Sequence, residues 1–236
     1  MSNIIVRANE RGHADHGWLN ARHTFSFAGY YNPERVHFGM LRVFNDDIVT
    51  PAMGFGMHPH DNMEIVTIPI YGALEHKDSV GHQGVITAGE VQVMSAGSGI
   101  YHSEFNHSKD EEGNLLQIWV FPKLRDIQPR YDQKKFDAEG RKNKFQIVAS
   151  PEKENGSLWL NQDVYFNLGD FDAGTSVMYE RKLKNNGMWI FIIEGEAEVN
   201  GEKLNRRDSM GITDEDTADI KFAKDTKMLI IDVPMR

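Results

Sequence analysis

Short apolar runs, broken at close intervals by turn-forming residues, are the dominant pattern along this chain. Residues 64–71 (EIVTIPIY), 115–121 (LLQIWVF), 145–149 (FQIVA), 188–193 (MWIFII) and 228–233 (MLIIDV) are rich in β-branched and aromatic side chains, and each predicts a strand. Gly72, Gly84, Gly89, Gly97, Gly99 and Gly113 punctuate the first half, as tight turns between strands require. Residues 194–202 (EGEAEVNGE) read as strand, Asn-Gly turn, strand. No stretch carries a strong helical period. The polar, charged segment 123–143 reads as a connection between two β-rich halves, so the expected fold class is all-β.

The length of 236 residues suits two domains of about 100–120 residues each, large enough to bury a core without disulfides. The chain contains no cysteine, which excludes thiolate metal sites, cysteine nucleophiles and thiol redox chemistry. No apolar run reaches the length of a membrane span or a signal peptide, so the expected compartment is the cytoplasm, away from membranes. Residues 1–122 hold 7 Lys and Arg against 14 Asp and Glu, a share of −7 in a net charge of −9. With no basic stripe to neutralise phosphates, direct nucleic-acid binding is not expected.

All ten histidines lie at or before His107, and the last 129 residues have none. The first half therefore carries whatever imidazole chemistry the protein performs. His58 and His60 stand two apart in GFGMHPHDNME, so on a strand they share a face, and Pro59 between them suits a strand end or edge. Glu64 has the same parity. His102 and Glu104 repeat the spacing in SAGSGIYHSE, just after Gly97 and Gly99, which permit a sharp turn. Two such pairs converging in a barrel suit one divalent first-row metal: iron, manganese, cobalt, nickel, copper or zinc. Spacing alone leaves open whether Glu64 or Glu104 completes the set. A lone His-x-His pair is more often unrelated to metal, so the second pair carries the argument. His76, His82 and His107 sit among polar turn residues and read as exposed, while Met53, Met57, Met63 and Met94 read as packing. The HExxH and G-x-S-x-G patterns are absent.

His58-x-His60-x3-Glu64 followed by Gly72 resembles the first cupin motif, with its glycine one residue late. Gly89, Gly99, His102 and Asn106 resemble the second, with Ser95 in place of a common proline. More specifically, DHGWLNARHTFSFAGYY (15–31), the HPH of 58–60 and SAGSGIYHSE (95–104) resemble the pirin family over nearly the whole chain. The resemblance implies two cupin-type β-barrel (jelly-roll) domains in tandem: 1–128 with the metal, and 129–236 without it. It implies His58, His60, His102 and Glu104 as metal ligands, with Fe(II) the expected ion and Mn, Co, Ni, Cu or Zn the alternatives. Glu64 then takes a supporting role near the site or a structural one, and His23 and Phe25 fall near the pocket mouth. Several bacterial pirins are quercetin 2,3-dioxygenases. The implied activity is therefore opening of a flavonol by dioxygen, with Glu104 as both ligand and general base. The other readings are a metal-containing regulatory protein acting through protein contacts, and a cupin with chemistry that needs no oxygen.

Overall fold

A computed structural model describes residues 3–152 and 156–236. The expected strands are present as Glu64–Tyr71, Gly113–Val120, Phe145–Ser150, Asn186–Glu194 and Thr226–Pro234. Strands Glu196–Val199 and Glu202–Asn205 form the expected hairpin, and Asn200 and Gly201 both take positive φ (48° and 86°), the backbone a two-residue hairpin turn favours. The helices among the described residues are single 3-10 turns, Ala8–Glu10 and Ala138–Arg141. None is long and apolar enough to cross a membrane.

Each half forms a barrel from a seven-stranded and a four-stranded sheet. In the first, the large sheet runs, in spatial order, Arg130–Lys135, Glu90–Ser95, Glu64–Tyr71, Gly113–Val120, Leu41–Val49, Leu19–His23 and Gly12–Asp15. The small sheet, Gly54–His60, Ile100–Asn106, Ala73–Asp78 and Gln83–Thr87, faces it. The second barrel repeats the plan.

The two large sheets pack against each other by their outer faces. Phe44, Val66, Ile68, Leu116, Ile118 and Val120 of the first meet Phe166, Trp189, Phe191, Leu229, Ile231 and Val233 of the second in one core, with Phe44 and Phe191 rings 4.7 Å apart. This explains the unbroken apolar runs. On Asn186–Glu194, Trp189, Phe191 and Ile193 enter the shared core, while Met188, Ile190 and Ile192 fill the second barrel. On Gly113–Val120 the inner face carries Leu115, Gln117 and Trp119 instead, because the first barrel is not apolar throughout.

Three expectations need correction. The ranges 1–128 and 129–236 do not separate the sheets cleanly: Arg130–Lys135 pairs with Glu90–Ser95 of the first barrel, and Ile4–Val6 pairs with Ser209–Ile212 of the second. The segment 123–143 thus contains a strand, whose polar sequence (RYDQKK) is that of a solvated edge. Phe25 is not near a pocket mouth; it is buried in the shared core, 5.0 Å from the Trp189 ring.

Glu64 also points away from the histidines. Asn62 takes a positive φ of 45° in the turn between strands, so the parity of His58 and His60 does not carry through. Glu64 shares a face with Val66 and Ile68 and accepts hydrogen bonds from the Ser95 hydroxyl (2.8 Å) and the backbone N–H of Asn161 in the second half (3.1 Å). Its burial pushes its pKa up to about 7. Glu64→Ala leaves both buried donors unpaired, at a cost of about 1–3 kcal/mol for each. The expected result is a lower urea midpoint with unchanged metal content per chain; loss of metal would return Glu64 to the ligand set.

Candidate metal centre

The centre is built mainly on the small sheet of the first barrel. Gly54–His60 is its edge strand, the position Pro59 suits. Before its neighbour Ile100–Asn106 the chain turns sharply: Gly97 has φ 50°, and a Cβ there would lie 2.0 Å from the carbonyl oxygen of Ile127. The antiparallel register sets His102 opposite His58 on one side and Asp78 on the other, and Glu104 opposite His76. Directly paired residues share a face, so these side chains all enter the barrel.

Their rings gather closely. Centroids of His58 and His102 are 4.4 Å apart, those of His60 and His102 4.8 Å, and those of His58 and His60 4.9 Å. Donor atoms of the three lie within 4.8 Å of one another; those of His76, His102 and Glu104 form a second such group, sharing His102. His58 and His60 are half-buried while His102 and Glu104 are buried, so the centre opens on the His58–His60 side.

The hydrogen bonds leave a ring nitrogen of His58 and of His102 able to act as a ligand. His58 Nδ1 lies 2.8 Å from the Gly56 carbonyl, which can only accept, so Nδ1 carries the proton and Nε2 keeps its lone pair. His76 Nε2 lies 3.2 Å from Asp78 Oδ2 and is the donor for the same reason, leaving His76 Nδ1 to accept from His102 Nδ1 at 3.5 Å. That arrangement leaves His102 Nε2 with a free lone pair. Burial pushes the His60 pKa down to about 4 and that of His102 lower still, with the neighbouring histidines adding to both, so these two rings are neutral at pH 7.

Glu104 is held from the opposite wall. His23, Asn45, Gln117, Thr67 and Gln92 stand in register across five strands of the large sheet, forming a polar row inside the barrel. Gln92 donates to the Thr67 hydroxyl (3.4 Å), which donates to Gln117 Oε1 (3.1 Å), and Gln117 Nε2 donates to Glu104 Oε2 (2.9 Å). Burial pushes the Glu104 pKa up to about 7. Glu104 Oε1 and His102 Nε2 are buried without a partner. Two such orphaned acceptors facing the same barrel interior are what a bound cation would satisfy, so the residues fit a divalent metal.

The structure thus gathers His58, His60 and His102 in one cluster and places Glu104 with His102 and His76 in a second that shares His102. His23 is buried at the far end of the polar row, bonded to Asn45 (3.0 Å) and beside Phe27. His82 and His107 are substantially exposed, whereas Met94 is core. The expectation of an exposed His76 is wrong: it is fully buried, stacked 4.4 Å from Tyr131 and aligned on His102. Leu74, His76 and Asp78 alternate along Ala73–Asp78 with the inward face of a strand, and that parity was the available signal. His76→Ala should weaken metal binding about 10–100-fold in a chelator competition while the fold is retained. Unchanged affinity would show that His76 does not orient His102.

Residues 5–120 match the family Pirin, and residues 147–233 match one described as Quercetinase C-terminal cupin domain. The chain is 44% identical over 234 residues to the Quercetin 2,3-dioxygenase of Escherichia coli, covering 98% of each. It is 40% identical over 222 residues to a Pirin-like protein of Caulobacter vibrioides, covering 94% of this chain and 95% of that one. A crystal structure of a bacterial pirin from Escherichia coli in complex with nickel(II) superposes with a TM-score of 0.93 at 40% identity, covering 99% of both chains. With similarity this high along its whole length, the chain belongs to the pirin family.

Proposed function

We propose that this protein is a metal-dependent dioxygenase that opens flavonols such as quercetin, with His58, His60, His102 and Glu104 holding one divalent ion. The observation that carries the reading is the three-histidine cluster beside the unpartnered Glu104 oxygen, in a chain closely similar to a quercetin 2,3-dioxygenase. Fe(II) is the ion proposed; this donor set also accepts its first-row neighbours, and a relative binds nickel(II). A bound ion supplies Lewis acidity that lowers the pKa of a phenolic hydroxyl.

The protein's own part is positioning and proton transfer. Gln117 anchors Glu104 through Oε2, so Oε1 is the atom that would hold the ion and, as that bond loosens, accept the proton of the flavonol 3-hydroxyl. A carboxylate whose affinity for protons is raised by burial is matched to that task near neutral pH. His60 packs edge-on against Trp119 at 4.8 Å, and Trp119 against Phe27 at 5.3 Å, an apolar aromatic wall suited to a flat aromatic substrate. Dioxygen is the second substrate, and carbon monoxide is released on ring opening.

Metal-loaded protein given quercetin in air should consume dioxygen in step with flavonol loss. His60→Ala should lose metal and uptake together. Glu104→Gln should keep most of the metal and lose about 10²–10⁴-fold in kcat. Near-normal turnover by Glu104→Gln would remove the general base from the account. No uptake by protein containing one metal per chain would overturn the dioxygenase reading in favour of a regulatory role through protein contacts.

A further inference from the structure

A cleft of about 460 Å³ lies where the two halves of the chain meet, and four arginines line it: Arg11, Arg22, Arg206 and Arg207. Such a concentration is unusual in a protein of net charge −9, whose first 122 residues contain only 7 Lys and Arg. Arg11 and Arg207 are buried at 6% and 5% exposure, on either side of Asp46. Both terminal nitrogens of Arg11 reach Asp46 Oδ2 at a long 3.3 Å, and Arg207 Nη1 donates to Asp46 Oδ1 at 3.0 Å. Arg206 and Arg207 share Glu194, at 2.6–3.1 Å. Arg22 stands opposite Asp46 in the strand register and makes no hydrogen bond or ion pair among the described residues.

Two carboxylates therefore serve four guanidiniums, and two positive charges in the cleft are uncompensated. Arg207 Nε is, in addition, buried without a partner. Arg207 also takes a φ of 67°, a backbone conformation costly for a side chain of this size and maintained only where the surroundings enforce it. Burial lowers the pKa of Arg11, and repulsion from Arg207 and Arg22 adds to that effect. Guanidiniums crowded in this way are the natural partners of carboxylate and phosphate oxygens, which they bind through paired N–H donors.

We propose that this cleft binds a small dianion bearing carboxylate or phosphate oxygens, with Arg22 as its principal free contact. The site is separate from the metal centre: Arg22 and Asp46 face the cleft, while the adjacent His23 and Asn45 face the barrel interior on the other side of the same strands. Because the cleft draws Arg11 and Arg22 from one half of the chain and Arg206 and Arg207 from the other, its ligand would also tie the halves together.

The test is calorimetry on metal-loaded, full-length protein at fixed ionic strength, with inorganic phosphate and succinate as separate probes. At least one should bind saturably at one site per chain and raise the melting temperature. The tighter of the two identifies the oxyanion class. Arg22→Gln, which breaks no hydrogen bond or ion pair, should weaken that binding about tenfold or more and abolish the thermal shift. Lys109→Gln, a control at an exposed lysine, should change neither. Absence of saturable binding by both probes, or wild-type affinity in Arg22→Gln, would overturn the proposal.

Discussion

A carboxylate enters the middle of a β-barrel only with compensation, because desolvation disfavours its charged form by several kcal/mol. Glu104 sits fully buried in the first barrel, and the surrounding polar architecture answers to that fact. Gln117 donates to one oxygen and is itself held by Thr67 and Gln92, so a row of side chains across the large sheet is committed to fixing one carboxylate. The remaining oxygen faces a barrel interior in which three imidazoles gather from two neighbouring strands. On the far side of His102, Asp78 and His76 set its tautomer.

Such an interior gives up apolar packing, and the apolar residues of the first barrel are split into two small clusters. The loss is offset elsewhere. Both large sheets bury their outer faces in one shared core around Trp189, Phe191 and Phe44, and the second barrel is filled by residues such as Met188, Ile190, Phe222 and Ile230. Exchange of Ile4–Val6 and Arg130–Lys135 between the sheets joins the halves further. The division of labour follows: one barrel carries chemistry, and the second, with the shared core, carries stability.

Much of this was legible in the sequence. The two i, i+2 pairs, His58 with His60 and His102 with Glu104, depend only on strand parity, and segregation of the histidines pointed to the half that holds the site. Features that depend on register were not legible. Glu64 has the right parity by counting, but the turn at Asn62 redirects it toward the second half. His76 gains its meaning only when Glu104 is set opposite it across two strands. Phe25 looked like a pocket residue by resemblance, yet it lies in a core whose other wall begins beyond residue 145. Arg130–Lys135 was hidden because an edge strand can be polar on both faces.

The most direct test of the account is anomalous scattering at the metal edge from crystals of the metal-loaded protein. One peak per chain is expected, bonded to His58, His60, His102 and Glu104, with Gln117 still holding the other Glu104 oxygen. A peak ligated by His76 or Glu64 in place of these residues, or a folded protein with no metal in the first barrel, would contradict it.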